Sequence, residues 1–128
     1  MRKLKVFRDV LGLRGFWASV ILATRGIGHL FLCHRNMRII FIFGAITFFA
    51  GLAIHLNGLD LAILCTTITL VFVAEIFNTA IEMVIDITTN KYHTLIKMIK
   101  DIAAGVVLIT ALNAVAVGII LFAKKLIK

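Results

Sequence analysis

Proline is absent, and acidic residues number only six in 128, against fourteen lysines and arginines. Without proline nothing forces a break inside the long apolar runs, so continuous helices are the default. Charged residues make up 16% of the chain, too few to clothe a soluble domain of this length, while 62% is hydrophobic and the mean hydropathy is +1.09. A soluble globule is excluded. The two cysteines, Cys33 and Cys65, form no C-x-x-C and no Cys/His cluster at metal spacing, so they read as small reduced apolar residues. A cleavable signal peptide is not expected, because Arg25 and His29 interrupt the stretch after the basic start and no small-residue cleavage pattern precedes Arg35.

What is present is an all-α membrane pattern in one domain. Residues 39–56 contain no charged side chain and are just long enough to span. A short polar turn, HLNGLD at residues 55–60, leads into a second span over 61–88, which at about 42 Å must tilt or emerge from the hydrocarbon. A basic connection with Tyr92 at headgroup level follows, and then a third span over 102–123. That span is dotted with small residues (Ala103, Ala104, Gly105, Ala111, Ala114, Gly118) and carries Asn113 near its midpoint, suited to an interhelical hydrogen bond. Ahead of the first span, residues 1–35 are basic. Their stretch from Leu11 to Leu32 mixes apolar residues with Arg14, Arg25 and His29, as an amphipathic helix in the interface does.

Eight of the fourteen basic residues precede the first span, none lies in the turn at 55–60, three (Lys91, Lys97, Lys100) follow the second span and three (Lys124, Lys125, Lys128) end the chain. An N-terminus in the cytoplasm therefore places most of them inside, against the dissent of the C-terminal lysines. The basic start would attract anionic headgroups or a soluble anion such as ATP; nucleic acid is the less favoured partner for a basic segment leading into a membrane.

The second span holds the chemistry. At about 100° per residue, Glu75, Asn78, Glu82 and Asp86 fall within an arc of about 80° on one helix face. A charge near the bilayer centre costs about 2.5 to 3.5 kcal/mol, so this stripe must face protein, water or a cation. Glu75 lies about 21 Å along the helix from Leu61 and Glu82 about 32 Å, so the stripe climbs toward the cytoplasmic interface. Three readings are open. The acids can pair with lysines or arginines and only hold helices together; they can conduct protons or cations; or they can bind a cation with an anionic ligand. Glu82 and Asp86 repel each other at i,i+4 unless something positive lies between them. Carboxylates with an amide suit Mg²⁺, which takes oxygen ligands and bridges to nucleotide phosphates. Three helices are too few to wrap the face, so a small homo-oligomer with sites between subunits is expected.

The stretch AEIFNTAIEMVID (residues 74–86), with KYH (91–93) and KDIAAG (100–105), resembles the bacterial integral-membrane diacylglycerol/undecaprenol kinase family over nearly the whole chain. RNMRI (35–39) resembles the R-N-x-R-I of undecaprenol kinases of Gram-positive type. The resemblance implies a homotrimer of the bacterial cytoplasmic membrane, each chain an interfacial N-terminal helix plus three transmembrane helices. It implies transfer of the γ-phosphoryl group of MgATP to a lipid alcohol, undecaprenol in preference to diacylglycerol. A Walker A sequence, absent here, is then not expected. Carried over by residue, Glu75 resembles the general base for the lipid hydroxyl, Glu82 the metal-binding glutamate and Asn78 the polar residue between them. Lys100 and Asp101 resemble the nucleotide-contacting pair, and Ser19, with Ala23 and Gly26, matches the N-terminal helix on the nucleotide side. Two positions depart: His34 stands where the family has a second metal-binding glutamate, and Leu22 where it has an aromatic residue beside the nucleotide. Imidazole is a poorer Mg²⁺ ligand than carboxylate, and these departures raise the alternative of a member that has lost its chemistry.

Overall fold

The computed structural model describes residues 13–88 and 94–127, which form four helices: α1 (Leu13–Cys33), α2 (Arg35–Ala53), α3 (Gly58–Thr88) and α4 (Thr94–Leu126). All four are long and apolar enough to cross a membrane, α1 included over Gly15–Cys33. The basic start (Arg2, Lys3, Lys5, Arg8), the segment with Lys91, Tyr92 and His93, and Lys128 lie outside the described residues. Helix α4 begins at Thr94, ahead of the span expected over 102–123, and α2 begins at Arg35, ahead of the span expected over 39–56.

The chain divides into two units, residues 1–35 and 36–128. In the first, α1 carries an edge-to-face Phe16–Trp17 pair with centroids 6.0 Å apart. Its Ser19 and Thr24 hydroxyls donate to the carbonyls of Gly15 and Val20, four residues back, at 2.9 and 2.8 Å. The second unit uses the same device at Thr47, Thr66, Thr67 and Thr69, where a hydroxyl would otherwise lack a partner in hydrocarbon.

The connection from α2 to α3 is fixed at both ends. His55 takes a left-handed backbone conformation, φ 54°, so that its N–H donates to the Leu52 carbonyl at 2.9 Å and the Leu56 N–H to the Gly51 carbonyl at 3.1 Å. This is the Schellman closure, with histidine where glycine usually sits. Leu56 folds back over Gly51, where an added Cβ would lie 3.0 Å from Leu56 Cδ1 and 2.9 Å from Leu64 Cδ2. His55→Gly is therefore expected to stabilise the unit by about 1 kcal/mol, because it relieves the steric cost of the left-handed residue. Thermal unfolding in detergent checks this; no gain in midpoint contradicts it. Asn57 then caps α3: its Oδ1 accepts the Asp60 N–H at 2.8 Å, and its Nδ2 donates to Asp60 Oδ2 at 2.8 Å.

Helices α3 and α4 run antiparallel, pinned by an ion pair at each end. Lys124 Nζ lies 3.1 Å from Asp60 Oδ2, and Lys100 Nζ lies 2.9 Å from Asp86 Oδ1. Twenty-six residues of α3 separate the two acids, about 39 Å of helix, against a hydrocarbon core of about 30 Å. The pins therefore belong to opposite interfaces, where an ion pair costs little. Between them Leu64, Ala74, Ala103 and Leu121 are buried. Lipid tails are as apolar as these side chains, so their packing contributes by close contact rather than by escape from water. Helix α2 approaches α3 through Gly44, whose Cβ would meet Ile68 Cγ2 at 2.9 Å, and through the edge-to-face pair Phe41–Phe72 at 6.1 Å. An apolar groove of about 490 Å³ remains among α2, α3 and α4, lined by Gly44 and Thr47, by Leu64, Thr67, Ile68 and Val71, and by Ala111, Ala114 and Gly118.

Candidate active site

The polar stripe occupies the half of α3 nearer the Asp86–Lys100 pin. Glu75 and Asn78 are buried, at 4% and 8% exposure, Thr79 beside them at 2%, and Glu82 is half-buried. The α3 side chains that line the groove, Leu64, Thr67, Ile68 and Val71, share this face: with the four stripe residues they fit an arc of about 100°. One helix face is thus acidic toward one membrane surface and apolar toward the other. On α4, Lys100 shares its face with the groove residues Ala111, Ala114 and Gly118 by the same count.

Within the stripe, Asn78 Nδ2 donates to Glu82 Oε1 at 3.5 Å, a long bond that orients the carboxylate without saturating it. Asn78 Oδ1 is buried with no hydrogen-bond partner. A buried amide oxygen left alone forfeits about 1 to 3 kcal/mol, so an orphan on a helix face that also carries carboxylates marks a place for an electropositive ligand. Asp86 sits one turn beyond Glu82, on the exposed end of the stripe, and takes Lys100. That supplies the positive charge which the Glu82/Asp86 spacing demanded, and for Asp86 the ion-pair reading of the stripe holds.

Lys100 therefore joins Glu82 and Asp86 at one level, while Asp101 is exposed on the adjoining side of α4. Ser19 and His34 belong to the N-terminal unit. Ser19 Oγ is engaged with the Gly15 carbonyl, and His34 stands at the break between α1 and α2 with its N–H on the Leu30 carbonyl at 2.9 Å. Among the described residues no three His, Cys, Asp or Glu side chains group as a metal cage. A hard cation that keeps several waters and takes the rest of its ligands from phosphates needs only one or two carboxylates, and Glu82 with the Asn78 oxygen meets that demand.

One pairing escaped sequence reasoning. Asp60 reads as a turn residue and Lys124 as a misplaced cation, yet they pair across 64 positions of sequence; the N-x-x-D cap at Asn57–Asp60 was the available signal. Asn113, expected in an interhelical bond, is exposed on α4, about 140° around the helix from Lys100.

The family model described as prokaryotic diacylglycerol kinase matches residues 21–122. A diacylglycerol kinase of Synechocystis sp. is 41% identical over 97 residues, which cover 75% of this chain and 55% of the relative. An undecaprenol kinase of Bacillus subtilis is 32% identical over 114 residues, covering 89% of this chain and 93% of the relative. The match thus spans little more than half of the first relative and nearly all of the second.

Proposed function

Since the chain belongs to the prokaryotic diacylglycerol kinase family, we infer that it transfers the γ-phosphoryl group of MgATP to the hydroxyl of a membrane lipid alcohol. The observation that carries this is the α3 face itself: the buried Glu75, the half-buried Glu82 and an orphaned amide oxygen in one half, an apolar groove in the other. That division suits an amphiphile whose hydroxyl reaches the acids while its chain stays in hydrocarbon.

Glu75 is the base. It takes the proton of the lipid hydroxyl as that oxygen attacks the γ-phosphorus in line, and the bond to the bridging oxygen breaks to release ADP. Phosphoryl transfer asks for alignment and charge neutralisation rather than covalent help, so few side chains suffice. Asn78 and Glu82 would hold Mg²⁺, which when bound neutralises charge on the phosphates. Lys100, a compact cation on a flexible stem, meets the phosphate oxygens from α4. Asp101 contacts the nucleotide from α4. His34 replaces a carboxylate, so the metal set rests on Glu82 and Asn78 with the phosphates themselves.

The protein acts in the bacterial cytoplasmic membrane with its N-terminus inside, the orientation the lysine and arginine distribution favours. It works as a homotrimer. Asn113 supports self-association, because an amide exposed midway along an apolar helix is satisfied only by another polar group, and a second copy supplies one.

Undecaprenol is the preferred acceptor, supported by Arg35, Asn36, Arg38 and Ile39 and by the end-to-end match to a relative that bears that name. Diacylglycerol is the second reading, favoured by the higher identity to the Synechocystis relative. Purified protein given each alcohol in mixed micelles is expected to show the larger kcat/KM on undecaprenol. A reversed ratio transfers the assignment to diacylglycerol, and turnover of neither by folded protein with MgATP sinks the kinase reading.

A further inference from the structure

The Asp86–Lys100 pair is exposed, with side chains 68% and 39% accessible, and a pair so placed adds little to stability. Its location is the informative part. Lys100 lies within electrostatic reach of both Asp86 and Glu82, yet its ammonium is bonded to Asp86 at 2.9 Å. Glu82 is left with one long hydrogen bond from Asn78, beside the unpartnered Asn78 oxygen.

We propose that Asp86 is a positioning residue: it holds the Lys100 ammonium off Glu82 until a nucleotide phosphate takes the ammonium over, and so keeps the Glu82 carboxylate and the Asn78 oxygen open to the cation. This rests on the kinase reading of the same face. An ammonium carries three donors on four rotatable carbons, so without Asp86 it swings one helical turn back to Glu82. There it neutralises the carboxylate that the cation requires. Asp86 touches neither the reacting atoms nor, in this arrangement, the cation; its effect passes through Lys100.

The measurement is the Mg²⁺ concentration needed for the ATP-induced rise in melting temperature, followed alongside lipid kinase activity. In Asp86→Asn the Mg²⁺ requirement rises about tenfold, one charge-assisted contact's worth of competition, while kcat at saturating Mg²⁺ stays within about twofold of wild type. Asp86→Glu restores the wild-type requirement. In the double variant Asp86→Asn/Lys100→Met the competing ammonium is gone, and the Mg²⁺ midpoint, read from melting at saturating ATP, falls below that of Asp86→Asn to the value of Lys100→Met alone. Lys100→Met by itself, read at saturating ATP, gives no tighter Mg²⁺ midpoint than wild type; a several-fold tightening there would mean that Lys100 already sits on Glu82 and overturns the proposal, even if Asp86→Asn fails to fold. An unchanged Mg²⁺ requirement in folded Asp86→Asn, or a double variant no better than the single one, overturns it too. Wild-type protein that responds to MgATP but phosphorylates neither lipid refutes the kinase reading and leaves this comparison decisive by itself. No thermal response of wild type to MgATP refutes both.

Discussion

Glu75→Gln is expected to lower lipid phosphorylation by about 10² to 10⁴-fold, the range a general base contributes, while the MgATP-induced rise in melting temperature persists. The separation follows from place. Glu75 is buried at 4% exposure, nearest the apolar half of the α3 face, whereas Glu82, two turns along, is half-buried at the level of Lys100. A glutamine keeps the shape and the hydrogen-bonding edge of the side chain but cannot accept the hydroxyl proton. A steady-state assay on the preferred lipid, paired with a melting curve, reads both quantities. Loss of the nucleotide response together with activity would move Glu75 into the metal site; retention of full activity would remove it from the reaction.

The second large effect is at Glu82. Glu82→Gln removes the carboxylate that accepts from Asn78 Nδ2, and with it the charge proposed to hold Mg²⁺. Several kcal/mol of phosphate neutralisation are at stake, so activity falls by at least about 10²-fold. In contrast to Glu75→Gln, the MgATP-induced rise in melting temperature disappears. Lys100 is bonded to Asp86 and not to Glu82, so that bond persists, the hairpin stays pinned and the variant folds. An unaltered nucleotide response in Glu82→Gln would place the cation elsewhere.

The stripe was legible because an acid inside an apolar helix is expensive, so its presence alone is informative, and a face count needs only the helical period. Hydropathy served less well for helix ends. Lys97, Lys100 and Asp101 mark the edge of the hydrocarbon, but a helix continues through water as readily as through lipid, and α4 begins at Thr94. Glycine would have announced the end of α2; His55 performs the same turn without the usual signal. The Asp60–Lys124 pin needs the antiparallel register of α3 and α4, which no local pattern supplies, and the same register brings Lys100 to Asp86 rather than to Glu82. The orphaned Asn78 oxygen is a matter of packing, visible only once the side chains are placed.

The central claim is that the buried half of this face transfers phosphate to a lipid. Incubating the folded protein in lipid with γ-labelled ATP and Mg²⁺, then separating lipid from water-soluble product, tests it most directly. Label is expected in the lipid alcohol's phosphate ester, dependent on both Glu75 and Glu82. Label found only in inorganic phosphate, or none transferred while MgATP still raises the melting temperature, would contradict it.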